Sequence, residues 1–336
     1  MDFTEELEIE KGFSQFYSQK IEPEFRLFKK KRDVYRLCAI IAKALVVLAI
    51  YFALIPIVEE NNPEKNSYYV LFLMILGVVE FRIISYFFSS FYLKKLEFNL
   101  INQVISFFGD FTYKKSDINL SKIYKKFDIL PKLRYAKGFG NLSGSYSGVN
   151  FSVEKLMLVS DPDNYSIIYS LVKFLTKGSF DIPKDRIKFT GLVILLDLKR
   201  RYNSKTVIRK ENQGFLSLFK LNKNFDDKKI KNVRLEDPKF EDIFEVYSND
   251  QIEARYILTT LFMERLILLS NLLGNPGIEF SFVEDKVSLI LPYEEELLTT
   301  FPIKGDFDMV EKSKIITKKI NLIFDIIDVL GLTAEK

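Results

Sequence analysis

The sequence contains no histidine, no tryptophan and a single cysteine, Cys38. Without histidine there is no imidazole base, no Ser–His or Cys–His pair and no His-ligated metal. One cysteine excludes an intrachain disulfide and suits a reducing compartment. Cys38 also opens an apolar run, which makes it a poor nucleophile candidate. No GxxxxGK phosphate loop is present, and Gly138-x-Gly140 continues into a strand-like stretch rather than opening a helix. An excess of one charge is missing too: 49 Lys and Arg stand against 45 Asp and Glu, a formal net charge of +4. That balance, with Lys199-Arg200-Arg201 as a solvated turn or a lipid-facing edge, gives no nucleic-acid footprint. Asp226-Asp227 sits among Lys223, Lys228 and Lys229, and Glu294–Glu296 reads as a solvent-facing or helix-opening triplet. We therefore expect no catalytic residues, no metal and no cofactor.

Long hydrophobic runs, by contrast, are there. Residues 37–58 and 68–92 are apolar, separated only by the polar stretch 59–67. A bilayer core about 30 Å thick needs about 20 helical residues, so each run predicts a spanning helix and the short link predicts a tight hairpin. Arg26, Lys29, Lys30, Lys31, Arg32 and Arg36 precede the first run, and Lys94 and Lys95 follow the second. The loop carries Lys65 against Glu59, Glu60 and Glu64. The positive-inside rule then places both termini in the cytoplasm of a multi-pass inner-membrane protein. The charged stretch ahead of the first run does not read as a cleavable signal. Lys43, Glu80 and Arg82 fall within the runs, where a charge costs about 2.5–3.5 kcal/mol at mid-depth. Lys43 lies near enough to the end to snorkel. Glu80 and Arg82, two apart, do not share a helix face; Glu80 reaches toward Lys43 or toward a second protomer. An ion pair, an assembly contact and an ion path are the open readings, and a pore would need an oligomer.

Beyond the runs the pattern is that of an α+β protein. Residues 2–22 read as a helix with Phe13, Phe16, Tyr17 and Ile21 as its stripe, and helical spacing continues from Leu96 to Phe111. Val149, Phe151 and Val153 alternate with Asn150, Ser152 and Glu154, which predicts a half-buried strand. Residues 161–178 suggest a turn and helix. Residues 187–198 and 205–209 predict a hairpin around Tyr202-Asn203-Ser204, residues 228–236 another strand, and 278–282 with 286–291 a second hairpin. Asp250 and Glu253 have capping-box spacing at the start of a helix running to about Leu273, apolar nearly all round. Ile316, Ile320, Ile323, Ile327 and Leu330 mark a closing helix. The expected architecture is a transmembrane helical hairpin plus a cytosolic domain, its antiparallel sheet packed on a long central helix and a C-terminal helix. The divisions are an N-terminal helical segment (1–36), the hairpin (37–92), a helical connector (93–130) and the α+β domain (131–336).

Several motifs stand out in this layout: Leu235-Glu236-Asp237-Pro238-x-Phe240, Phe244-x-Val246-Tyr247-Ser248 and Glu253-Ala254-Arg255-Tyr256-Ile257-Leu258-Thr259. With Gly144-x-Tyr146-x-Gly148-Val149-x-Phe151 and Phe189-x-Gly191-Leu192, they resemble the bacterial family catalogued as domain of unknown function 3137. The resemblance implies an integral membrane protein with a cytosolic domain and no assigned activity. Physically, Gly144 and Gly148 permit turns or close backbone approach. Glu236 or Asp237 would neutralise Arg255 in a strand-to-helix clamp, the alternative being an anionic ligand on Arg255. Two function classes follow: a membrane-tethered interaction or scaffold protein, or a membrane-tethered sensor holding a small molecule or lipid. The lipid bilayer, other membrane proteins and self-association through the second run are the expected partners.

Overall fold

The computed structural model describes residues 12–59, 75, 77, 79–81, 94–114, 116, 135–159, 187–210, 230–274, 277–295, 297–298 and 308–332. Residues 2–11, the loop 59–67 past Glu59, Arg82 and the 161–178 segment lie outside these. The chain divides into two compact units.

The first unit is helical. A one-turn helix α1 (Phe13–Phe16) passes through a π turn (Tyr17–Ile21) into α2 (Glu22–Glu59). Four-residue spacing overshoots an α-helical turn by ~40°, and the wider π turn absorbs part of that excess. Phe13, Tyr17 and Ile21 thus stay on one buried side. Pro23 lacks an N–H and its ring crowds the carbonyl four residues back, so a widened turn directly upstream lets the helix run on through it. A second helix, α3 (Lys94–Ile105), buries Leu100, Ile101, Val104 and Ile105. The Phe107 ring that follows meets Phe13 edge-on at 5.1 Å and lies 5.2 Å from Phe16.

The second unit is a sheet clad with helices. Its strands are β1 (Thr112–Lys114), β2 (Tyr135–Tyr146), β3 (Val149–Val159), β4 (Ile187–Asp197), β5 (Lys205–Lys210), β6 (Lys231–Asn232), β7 (Phe244–Ser248), β8 (Glu279–Val283) and β9 (Lys286–Pro292). Among the described residues they form one sheet in the order β1-β2-β3-β4-β9-β8-β5-β7-β6, every neighbouring pair antiparallel. Two short hairpins pin the register. Ser147 and Gly148, at φ 48° and 81°, make the two-residue turn between β2 and β3, the left-handed geometry that matches strand twist. Glu284 at φ 55° and Asp285 close β8 onto β9 as expected.

Four expectations change. β4 and β5 are not a hairpin: the β8–β9 hairpin lies between them, and the connection 198–204 arches over its turn. Leu198 donates its N–H to the Asp285 carbonyl at 2.7 Å, and Tyr202 donates to that of Glu284 at 2.8 Å. Within the expected connector, α3 ends at Ile105 and Thr112–Lys114 pairs with β2 and joins the sheet, while 117–130 lies outside the described residues. Of the strand expected over 228–236, residues 228–229 lie outside the described residues, and among the rest Lys231–Asn232 pairs with β7 before Asp237 caps a one-turn helix, α4 (Pro238–Glu241). The long helix from Asp250 breaks in two, α5 (Gln251–Ile257) and α6 (Thr260–Leu272). Leu258 is buried at ψ 62°, and the Thr259 hydroxyl accepts from the Phe262 N–H to cap the second piece.

One face of the sheet carries Val153, Ile194, Leu289, Phe280 and Ile208 in ladder register. On this face Phe262 of α6 packs on Phe282. The C-terminal helix α7 (Met309–Leu330) sets Phe324 flat on Tyr146, 4.0 Å between ring centres, and against Phe111. Its predicted stripe, Ile316, Ile320, Ile323, Ile327 and Leu330, is buried throughout. α6 is buried on one side only, by Met263, Leu266 and Leu269, while Leu261, Leu268 and Leu272 are exposed.

Candidate functional site

The first unit's outstanding surface is α2 itself. Up to Phe28 and Arg32 the helix has a buried side; beyond it, Val34, Leu37, Ile40, Ile41, Leu45, Val47, Leu48 and Tyr51 are all exposed. The most apolar 18-residue window of the helix has a mean hydropathy of 2.0 and none of it is buried. Soluble proteins seldom leave so long a stretch of aliphatic surface uncovered. Arg26, Lys29, Lys30, Lys31 and Arg36 are exposed just ahead of it, Arg26 paired with Glu22 at 2.7 Å and Arg36 3.8 Å from Asp33. This is a basic collar next to an apolar stretch that is long and apolar enough to cross a membrane.

Of the three charges expected inside the apolar runs, Lys43 lies with its Nζ 4.4 Å from the centre of the Phe81 ring. Glu80 is exposed, and Arg82 lies outside the described residues. Gly77 packs so closely on Ile50 that a β-carbon there would collide with its side chain. Lys43 with Phe81 and Ile50 with Gly77 are contacts of two antiparallel segments. Ile75, Gly77 and Val79–Phe81 are helical, and the remainder of the second run lies outside the described residues.

The motif residues of the second unit have other partners than expected. Asp250 caps α5, accepting from the N–H groups of Ile252 and Glu253 at 2.9 and 3.0 Å. Glu253 does not close a capping box. Its carboxylate accepts from the backbone N–H of Asn203 at 3.1 Å and from that of Ser204, tying α5 to the loop before β5. Burial pushes its carboxyl up, but the hydrogen bonds from Ser204 and from the two amides outweigh this and hold it below the ordinary carboxylate value. Asp237 is spent on the Lys239 and Phe240 amides, and Glu236 is exposed. The clamp from either to Arg255 is therefore replaced: Arg255 is exposed and donates to the Arg234 carbonyl at 3.2 Å. Gly148 makes the β2–β3 turn, and Gly144 leaves room for the Phe111 ring.

Sequence reasoning passed over a row of buried charges on the sheet's other face. Ladder pairing aligns Glu154, Val193, Ile290, Glu279, Arg209 and Glu245 from β3 to β7. Glu154 and Glu279 are almost fully buried, and Arg209 Nε stands 3.9 Å from Glu279 Oε2 with its guanidinium 5.9 Å from the Tyr247 ring centre. The signal was present as single charges set in β-branched and aromatic strands, such as Glu279 in Ile278–Phe282. Such a buried pair is weak evidence of stability, because the cost of desolvating two charges offsets their attraction.

A cleft of about 310 Å³ opens where β4 meets the end of β9, lined by Ile187, Phe189, Thr190, Pro292, Tyr293 and Glu294. Gly191 lets the strands approach there: a β-carbon would strike the Phe189 ring and the Leu291 carbonyl. Lys155 reaches the Glu294 carbonyl at 2.7 Å. Burial, and then the Glu295 charge, push the Tyr293 phenol up to about 12, so it stays protonated and donates to Glu295 at 3.2 Å. Lys319 completes the set, 3.4 Å from Glu295 and 5.6 Å from the Tyr293 ring centre. A protonated phenol between a lysine and a glutamate is a donor array rather than an activated nucleophile.

Fold and surface together define a mixed helix and antiparallel-sheet protein with an exposed apolar N-terminal helix. Residues 187–332, from β4 to just past the end of α7, match the family model described as "Protein of unknown function (DUF3137)". The family resemblance drawn from the motifs at 235–259 and from Phe189 to Leu192 thus holds over this part of the chain. No curated protein matches. Among solved structures, the crystal structure of the mycobacterial trehalose monomycolate transport factor A, TtfA, aligns over 70% of this chain and 96% of its own, at 12% identity and a TM-score of 0.33. A likeness that remote carries neither fold nor role across.

Proposed function

We propose that the protein is a bilayer-anchored, non-enzymatic interaction protein. The observation that carries this is the apolar stretch of α2, none of which is buried. In the reading proposed, α2 and the segment holding Gly77 and Phe81 form a membrane hairpin over 37–58 and 68–92. The collar of Lys29, Lys30, Lys31 and Arg36 sets both termini in the cytoplasm of the bacterial inner membrane. The antiparallel contacts of Lys43 with Phe81 and of Ile50 with Gly77 support a hairpin. The exposed stripe Leu261, Leu268 and Leu272 on α6 supports a role in binding another protein.

Two measurements test it. Alkaline extraction of native membranes should leave the full chain in the pellet, and a protease added outside should spare tags on both termini. Release into the supernatant overturns the anchor, and cleavage of a terminal tag overturns the orientation. Crosslinking in intact membranes, read by mass spectrometry, should then return a reproducible partner through α6, lost in Leu268→Glu. The cleft under Tyr293 favours a second reading, a tethered sensor for a small molecule; a ligand of that kind should raise the melting temperature of wild type but not of Thr190→Trp.

A further inference from the structure

The second apolar run carries a carboxylate at its centre, Glu80. Where the two segments of the first unit meet, Lys43 Nζ lies 4.4 Å from the centre of the Phe81 ring and Ile50 closes on Gly77. Gly77 and Phe81, four apart on one helix face, therefore mark the seam. At 3.6 residues per turn, Glu80 is rotated about 80° away from that seam. It is exposed, whereas Gly77 is buried and Phe81 half-buried. Among the described residues no hydrogen bond or ion pair reaches its carboxylate, so Lys43 does not neutralise it within the chain. In a hairpin spanning hydrocarbon, such a charge stands on the flank of the second run with no water to solvate it. The short glutamate stem cannot carry it from the middle of the run to an interface, as a lysine stem can.

We infer that Glu80 is a contact between protomers: a second copy of this chain packs on that flank, with the partner's Lys43 set against Glu80. The inference rests on the reading that 37–58 and 68–92 form a membrane hairpin. Its contact with Phe81 holds Lys43 at the depth of Glu80 to within about one residue's rise, ~1.5 Å. Copies of one chain enter the bilayer in one orientation, so the axis relating them runs along the membrane normal and leaves depth unchanged. Each copy therefore presents a cation at the depth of its neighbour's carboxylate. In a two-fold dimer the contact is made twice. An ammonium has three N–H donors, so the Phe81 ring and a carboxylate can hold it together. Exposed aliphatic side chains of α2, Ile40, Leu45 and Leu48 among them, supply apolar surface for packing around the pair. An unrelated helix would have to match that depth independently; a second copy matches it by symmetry.

The test uses the full chain in a Cys38→Ser background, with a donor or an acceptor fluorophore on Asp325→Cys, an exposed position of α7. Both are reconstituted in phosphatidylcholine vesicles over a range of lipid dilutions. Energy transfer should exceed that of randomly mixed monomers and persist on dilution. Association should weaken several-fold in Glu80→Leu and in Lys43→Leu, each measured alone. It should recover in part when Glu80→Leu donor chains meet Lys43→Leu acceptor chains, because that mixture keeps one of the two inter-chain pairs. Without fluorophores, differently tagged Lys43→Cys and Glu80→Cys chains should form a mixed disulfide, which decides the matter where a leucine variant fails to insert. Transfer at the monomer level, undiminished association in Glu80→Leu, or absence of the mixed disulfide each overturns the inference. A mixture no tighter than its components, with both inserted, assigns the pair to a single chain and overturns it too. Failure of the anchor is distinguishable, because it shows as alkali-extractable wild type whatever the fluorophores report.

Discussion

Glu253 shows what a side chain loses and keeps when read from its neighbours alone. The spacing from Asp250 correctly marks a helix start, since capping is local. The partners that Glu253 actually serves, the Asn203 and Ser204 amides, lie about fifty residues earlier and no local pattern points to them. We expect Glu253→Ala to destabilise the second unit by about 1–3 kcal/mol, because two amides lose their acceptor. Glu253→Gln should cost less, and a thermal shift in detergent separates the two. The sign of the pH effect follows from its lowered carboxyl. The unfolded chain binds the proton more tightly, so the contribution is complete above the ordinary glutamate range and is lost as pH falls through the lower folded value. Asp197, held down by Lys286 and Asn150 against the upward push of burial, adds to the same acid limb. Gly191 makes a second residue-scale prediction. With Leu291's carbonyl and the Phe189 ring in the way of a β-carbon, Gly191→Ala should destabilise by about 1–3 kcal/mol in the same assay, since backbone cannot swing aside.

At the scale of elements, what was legible is what is periodic. The α7 stripe, the alternating β3 and the β8–β9 turn all repeat or reverse within a few residues, and all three stand where the sequence places them. Strand adjacency does not repeat locally. Seven residues between β4 and β5 allow a hairpin equally with an arch over an inserted pair, and only the long-range pairing of β4 with β9 decides between them. The break at Leu258 was hidden for a related reason: a helix apolar on all sides and two shorter helices bent to cover one face carry the same hydrophobic content. The strand order is checked directly by cysteine pairs in a Cys38→Ser background. Asp197→Cys/Lys286→Cys should oxidise to a disulfide visible by mass spectrometry, because the two are ladder partners. Asp197→Cys/Lys205→Cys should stay reduced; the reverse result would restore the hairpin.

For the whole molecule, the apolar stretch of α2 announces itself by composition, because it is an uninterrupted apolar helix long enough to cross a membrane. The sheet unit gives no such announcement of its role. Its chemistry sits in side chains gathered from distant strands, the Glu154-to-Glu245 row and the Tyr293 cleft among them, and single charges in strands read as noise until the ladder aligns them. The account therefore stands or falls on where α2 lies. Spin labels placed one at a time from Lys29 to Tyr51, in the full chain reconstituted in vesicles, measure collision with oxygen, which enters hydrocarbon, and with a water-soluble nickel chelate. The prediction is high oxygen and low nickel accessibility around the helix from Ile40 to Leu48, with nickel contact returning at the Lys29–Arg36 collar. Uniform nickel accessibility along the same residues would contradict the account.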